Sequence, residues 1–279
     1  MSLKLVKPEP TERAEVHLHF SYSQLSTYLI CPMKYTFQYV QGVPWETKPV
    51  ALPFGKAIHK AAETYYRNLM ETGEITHVDQ VIATFETVFD QDIQNSDIEI
   101  TYKEGETSGI LREQGINLLR LFHAGVRPQN IRAVEFPFSV KIPDIITGNG
   151  DLPIRLEGIL DLIESDPDGN YAVVELKTSK QRFSSLKLEY DLQPTVYSYA
   201  MSKMKVATSD KSCLVRYDVL LKTKKPGFEQ YFVSRTEDDH QRLIHLINHV
   251  LKAIENRIFY RQTGWQCGDC QFKKTCFSS

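Results

Sequence analysis

The sequence predicts an α/β fold in which helices flank a mixed central sheet, with a helical subdomain ahead of the sheet and a cysteine-bearing tail behind it. Two features carry this prediction. Apolar residues recur at spacings of three and four through residues 21–126, and from Ile131 the period falls to two, as strands require. Three strands then precede a helix, two further strands and a long helix. Size and composition agree: 279 residues, 42% hydrophobic and 24% charged, allow one substantial core and exclude collagen, disorder and miniature disulfide scaffolds. No apolar run approaches the roughly 18 residues of a bilayer span. Residues 1–10 lack a signal peptide's apolar core, so no membrane role and a reducing cytoplasmic setting are expected.

Residues 1–20 read as a polar arm and 21–279 as a single domain, divided into a helical part (21–126), a core (127–262) and a tail (263–279). Ser21 or Ser23 can cap the first helix, whose apolar face is Leu25, Tyr28 and Leu29. Pro32 suits the first turn of a second segment reaching Tyr39, because its missing N–H has no helical partner there anyway. Phe54, Ile58, Ala61, Ala62 and Tyr65 predict a helix over 52–70 that carries His59 and Glu63. Two more helices are expected at 78–93 and 107–124. Val134, Phe136, Phe138 and Val140 alternate with polar or small neighbours and read as the first strand. Strands at 154–164 and 171–178 enclose Ser165-Asp166-Pro167-Asp168-Gly169-Asn170, which holds proline for a fixed φ and glycine or asparagine for a positive one. A helix over 184–203, strands at 213–221 and 229–234, and a helix over 237–257 complete the chain.

Charge is unevenly distributed. Residues 1–170 hold 15 Lys+Arg against 24 Asp+Glu, and residues 171–279 hold 18 against 11, so a net charge of -2 conceals -9 in front and +7 behind. Such polarity can place a basic surface on one side, and a local patch suffices for phosphates. Lys222, Lys224, Lys225, Lys273 and Lys274 either belong to that patch or only solvate loops. Cys267, Cys270 and Cys276 form C-x2-C-x5-C, three soft ligands in ten residues, which suggests a metal. For the fourth ligand, Cys31 beside Pro32 is a better candidate than Cys213, which sits in an apolar strand-like run and reads as a small core residue. A metal held by Cys31 and the tail would clamp the two ends of the chain together.

Asp161 and Glu175 average to position 168, the centre of the predicted turn, so a symmetric hairpin sets them face to face. Facing Cβ atoms lie about 4.5 to 5.5 Å apart, and two carboxylates at that distance repel unless one binds a proton or a cation lies between them. A hard divalent cation is the economical answer. Lys177 follows Glu175 by two residues and shares its strand face. Carboxylates, a metal and an ammonium suffice to hydrolyse a phosphodiester. Asp161 lies in Gly158-Ile159-Leu160-Asp161-Leu162-Ile163, where an unpaired carboxylate is costly to bury.

With these residues in view, the sequence resembles the PD-(D/E)XK nucleases of the RecB/AddB type, a group that includes CRISPR-associated Fe-S exonucleases. The resemblance rests on Ser21-x-Ser23-x-Leu25-x-x-Tyr28-x-x-Cys31-Pro32-x-x-Tyr35, Gly55-x-x-x-His59, Gly158-x-x-Asp161, Glu175-Leu176-Lys177-Thr178, Gln193-x-x-x-Tyr197 and the terminal cysteines, in that family's order. It implies a restriction-endonuclease-like core. It also implies that His59, Asp161, Glu175 and the Leu176 carbonyl hold Mg2+ or Mn2+, that Lys177 is the catalytic lysine, and that Gln193 and Tyr197 line the site or contact DNA. Cys31, Cys267, Cys270 and Cys276 would hold a 4Fe-4S cluster with a structural role. The family's namesake Pro-Asp is Leu160-Asp161 here.

The expected activity is therefore metal-dependent DNA cleavage, as an exonuclease on single-stranded or frayed ends. No Gly-x4-Gly-Lys-Ser/Thr loop occurs, so unwinding falls to a helicase partner or a CRISPR-adaptation protein. Taken without the resemblance, His59 is an ordinary helix histidine and Gln193 and Tyr197 are packing residues, while Glu135 could approach the site from the first strand, although alternation favours an outward position. His245 and His249 fit ordinary positions of the last helix, although they could chelate zinc with the tail. Rival readings are a non-catalytic nucleic-acid-binding or assembly subunit on the same scaffold, and a zinc-stabilised binding module.

Overall fold

A computed structural model of the chain describes residues 19–204 and 213–278. Residues 1–18 of the expected arm lie outside the described residues, but His19–Ser21 form β1 and belong to the central sheet, which corrects the arm's boundary. The chain continues through α1 (Tyr22–Ile30), α2 (Pro32–Tyr35), a π-helical turn (Thr36–Val40), β2 (Lys48–Pro49), α3 (Ala51–Thr72), α4 (Val78–Gln94), β3 (Ile100–Thr101) and α5 (Ser108–Gly125). It then forms β4 (Asn130–Pro143), β5 (Asp151–Ser165), β6 (Tyr171–Ser179), α6 (Ser185–Tyr190), α7 (Leu192–Lys203), β7 (Cys213–Leu221), β8 (Gly227–Val233), α8 (Glu237–Glu255), a 3-10 turn (Trp265–Cys267) and α9 (Lys273–Ser278).

Local chemistry sets many of these boundaries. Ser21 begins α1 with a capping box closed by Gln24, and Thr236 begins α8 with one closed by Asp239. Gly73 ends α3 at φ 76°, a left-handed conformation that glycine adopts at no steric cost. The single helix expected over 184–203 is two helices broken at Asp191, whose backbone is extended and whose side chain caps the Gln193 N–H. Pro194 explains the break: it has no N–H to offer the Tyr190 carbonyl four residues earlier.

The six-stranded sheet runs β1-β5-β6-β7-β8, with β4 on the other edge of β5. It is mixed: β1 with β5 and β6 with β7 are parallel, whereas β4, β6 and β8 lie antiparallel to their neighbours β5, β5 and β7. Helices α3, α4 and α5 cover one face, packing Phe54, Ile58, Phe85 and Leu119 on Leu162, Val174 and Leu176. Helices α1, α7 and α8 cover the other, packing Leu25, Val196 and Ile247 on Leu160, Val173 and Val215. Among the described residues no helix is long and apolar enough to cross a membrane.

One edge of β5 is shared. Ser21 pairs with Glu157 at the end of β1, and β6 joins only at Leu162 opposite Val174, so residues 158–161 have no ladder partner on that side. The strands also change faces there. The expected period of two puts Val134 on one face with Phe136, Phe138 and Val140, but Val134 packs toward α3 and the other three pack toward α7. The cause is Glu135, whose φ of 48° turns the backbone by one face. On β5, Leu160 and Leu162 separate in the same way about Asp161.

Close helix contact depends on Gly115 of α5, where an added Cβ would lie 2.1 Å from the Phe85 ring of α4. Gly115→Ala is expected to destabilise the fold by about 1–3 kcal/mol through overpacking, read as a lower urea midpoint at unchanged slope. A wild-type midpoint contradicts this packing.

Candidate active site

The open stretch of β5 and the end of β6 bring the acidic side chains together. The hairpin register, from Ser165 opposite Tyr171 to Leu162 opposite Val174, continues to Asp161 and Glu175 as the next facing positions. There the strands part, and the Leu176 N–H donates to Asp161 Oδ2 at 3.0 Å. From α3, His59 Nδ1 approaches the same oxygen at 3.2 Å. Lys177 Nζ donates to Glu175 Oε1.

Glu175 is held from the α7 side. Gln193 Nε2 donates to its Oε1 at 2.8 Å and to the Tyr197 hydroxyl oxygen at 2.7 Å, while the Tyr197 O–H donates to Glu175 Oε2 at 3.0 Å. Gln193 and Tyr197 lie four apart on one face of α7, so one helix supplies both donors. Glu175 is 4% exposed and Lys177 34%: the carboxylate is enclosed and the ammonium reaches the opening.

The structure adds Glu135, which the sequence reading set outward. The turn of β4 at this residue brings its carboxylate into a group with His59 and Asp161 whose ligating atoms all lie within 4.8 Å of one another. A left-handed backbone is costly for a glutamate and points to a functional demand at such a position. The only signal available in the sequence was an acidic residue between Val134 and Phe136, and alternation argued against it. A small cavity beside the group is lined by His59, Glu63, Tyr66, Glu135, Asp161 and Leu176. The Tyr66 hydroxyl is buried with no hydrogen-bond partner among the described residues.

Electrostatics follow from this crowding. Burial first, then Asp161 and Glu63, push the Glu135 carboxyl up to about 7. Burial and Asp161 likewise raise Glu175. Burial opposes charge on Lys177 and His59, yet the adjacent carboxylates prevail and raise both above their ordinary values. Lys177 is therefore an ammonium, suited to donate rather than to accept a proton. The donor set of carboxylate oxygens and one imidazole fits a hard divalent cation, which would also relieve the repulsion.

Cys31, Cys267, Cys270 and Cys276 line one cavity together with Lys34 and Arg261, and Cys213 lies elsewhere, in β7. Burial and then the neighbouring cysteines raise the Cys276 thiol, against the opposing effect of Arg261.

The sequence profile of the PD-(D/E)XK nuclease superfamily matches residues 19–277. The chain belongs to the PD-(D/E)XK nuclease superfamily. Comparison with curated proteins returns no match. Among solved structures, a candidate exonuclease from Eubacterium rectale shares the fold, with a TM-score of 0.52 and 13% identity over 92% of this chain and 87% of that one. The protein SSO0001 aligns at 16% identity and a TM-score of 0.38 over 88% of this chain and 94% of that one. Membership in this superfamily supports a nuclease acting on nucleic acid, and PD-(D/E)XK nucleases generally use divalent metals, for which the acidic group offers a site.

A carboxyl whose pKa is raised on folding holds its proton more tightly in the folded chain than in the unfolded one, so stability falls as pH climbs from the ordinary carboxylate range through about 7. Metal-free protein is expected to lose Tm across that interval in EDTA, and Glu135→Gln to flatten the loss and raise Tm at pH 8. An unchanged fall in the variant removes Glu135 from the repelling cluster.

Proposed function

We propose that this protein is a Mg2+- or Mn2+-dependent deoxyribonuclease, acting as an exonuclease on single-stranded or frayed DNA ends. The observation that carries the reading is the meeting of Asp161, Glu175 and Lys177 at the open edge of β5, with His59 against Asp161. His59, Asp161, Glu175 and the Leu176 carbonyl would hold the divalent ion, which supplies Lewis-acid polarisation of the phosphate and helps to ionise the attacking water. Glu135 is close enough to His59 and Asp161 to join them.

The chain's own groups divide the remaining work. Lys177 donates from the cleft to a phosphate oxygen or to the water, offsetting charge that builds in the transition state. Gln193 and Tyr197 fix the Glu175 carboxylate from behind, so that it meets an incoming charge without reorganising. His59 orients Asp161 through the same oxygen that accepts the Leu176 N–H.

Cys31, Cys267, Cys270 and Cys276 would hold a structural 4Fe-4S cluster. Their convergence on one cavity beside basic side chains suits thiolate ligation, and they join the start of the chain to its end, away from the acidic group. Single-domain organisation of residues 21–279, with β1 added at its front, is part of the same reading, as is dependence on a helicase or a CRISPR-adaptation protein to present single strands.

Two measurements test it. End-labelled single-stranded, duplex and circular DNA digested with Mn2+ should show shortening from labelled ends and intact circles, while Glu175→Ala and Lys177→Ala should each lose about 100-fold or more in rate with unchanged circular dichroism. Undiminished cleavage by both variants refutes the assigned site, and nicked circles refute the exonuclease mode. Anaerobically purified protein should be brown, with broad visible absorption from iron–thiolate charge transfer. A colourless protein with stoichiometric zinc contradicts the iron cluster and favours a zinc clamp on the same cysteines.

A further inference from the structure

A cavity of about 600 Å³ lies between the start of α3, β3, the end of β6 and the cysteine tail, outside the acidic group. Its charges do not cancel. Five lysines and three carboxylates line it, and each carboxylate is already engaged. Asp269 pairs with Lys103 and Glu106 with Lys180, both at 2.8 Å. Glu46 accepts from the Lys274 and Thr275 backbone N–H groups and from the Thr275 hydroxyl, so it serves to tie down the tail.

Lys222, Lys273 and Lys274 are left without an ion pair among the described residues, and of these Lys222 is the one that is not exposed. It is half-buried where β7 ends; its backbone N–H donates to the Ser179 carbonyl, while its Nζ lies 4.6 Å from the centre of the Phe54 ring with no ion pair or hydrogen bond among the described residues. Burial and then Lys180 push its pKa down against the weaker opposing pull of Glu106, which is itself paired with Lys180. The 22-residue helix α3 also starts at this wall, with no side-chain cap and no acidic residue in its first turn. Pro53 has no N–H and the Val50 N–H donates to the Thr101 carbonyl, so the Ala51 and Leu52 N–H groups and the helix dipole are what this end adds to the preference for an anion.

The cavity meets the candidate active site through the chain itself. Thr178, Ser179 and Lys180 follow Lys177 directly, and the first two are the last residues of β6. Lys177 shares the α7 face of β6 with Glu175, Thr178 lines the cavity beside Phe54 on the α3 face, and three strand residues span about 10 Å, so a nucleic-acid strand that meets both passes around the end of β6. Cys270 and Lys273 line both this cavity and the cysteine cavity, so whatever the thiolates hold also fixes one wall.

We propose that this cavity binds a phosphate of the nucleic-acid strand close to the linkage held at Lys177, with Lys222 as its principal cation. The inference rests on the nucleic-acid reading above, but not on cleavage. It turns the basic second half of the chain from loop solvation into a defined contact, through Lys180, Lys222 and the tail.

Fluorescence anisotropy in EDTA reads binding without cleavage, using single-stranded oligonucleotides that carry a 5′-phosphate, a 3′-phosphate or neither, together with a single-stranded circle. Lys222→Gln should weaken binding and make the slope of log K against log salt shallower by about 0.7, the share of one phosphate contact on a single strand. Lys222→Arg should keep the wild-type slope. Loss on all four probes supports an internal phosphate, and loss confined to one phosphorylated end supports a terminal one. If Lys222→Gln does not fold, Lys180→Gln serves instead: it frees Glu106 to neutralise Lys222 and should flatten the slope similarly. Wild-type affinity and slope on every probe in a folded Lys222→Gln overturn the inference while leaving the nuclease reading intact. Failure of the wild-type protein to bind any probe overturns both.

Discussion

The architecture turns on a break in one edge of β5. Because β1 stops at Ser21 opposite Glu157 and β6 pairs with β5 only as far as Val174 opposite Leu162, residues 158–161 of a central strand lack a neighbour on that side. The interior of a sheet rarely tolerates unpaired backbone, and here the gap is closed by side chains: Asp161 takes the Leu176 N–H in place of a ladder carbonyl. A carboxylate that completes the backbone hydrogen bonding is fixed in place. Once it is fixed, Glu175 and Glu135 crowd against it, and the fold holds like charges together that would separate in water.

The two helical layers share the work of holding that crowd. Helix α3 brings His59 to Asp161 from one face, and α7 brings Gln193 and Tyr197 to Glu175 from the other. Asp191 fixes the start of α7 by accepting from the Gln193 N–H and from the Tyr22 and Tyr217 hydroxyls, so α1 and β7 both register the helix that grips Glu175. Farther along the sheet, Arg216 lies buried between Glu164 and Asp218 with hydrogen bonds to both. The contrast is informative. There one guanidinium is hydrogen-bonded directly to both carboxylates, whereas at Asp161 three carboxylates crowd around His59 and Lys177, and Glu135 gains no bond from either cation among the described residues.

Much of this was legible in the sequence because it depends on local order. Turn chemistry at Pro167 to Asn170 set the hairpin centre, and the centre set the register that makes Asp161 face Glu175. Spacing on a helix placed Gln193 with Tyr197. Three features escaped. His19–Ser21 are strand only because β5 offers an edge, a long-range partner that one buried apolar residue, Phe20, between two polar ones does not announce. The break at Asp191 hides within a continuous helical pattern, although Pro194 gives its reason. Glu135 was misplaced because alternation assumes a strand that keeps its faces, and a positive φ at one residue ended that assumption. Spacing points to the tail's three cysteines and elimination of Cys213 to Cys31, and only folding puts all four on one cavity.

The central physical claim is that the carboxylates beside β5 share a divalent cation. Anomalous diffraction from crystals soaked in Mn2+ tests it without reference to any substrate. The account predicts a peak within ligand distance of Asp161, Glu175 and His59, lost in crystals of Asp161→Asn. A well-ordered site with no peak there at saturating Mn2+ contradicts it.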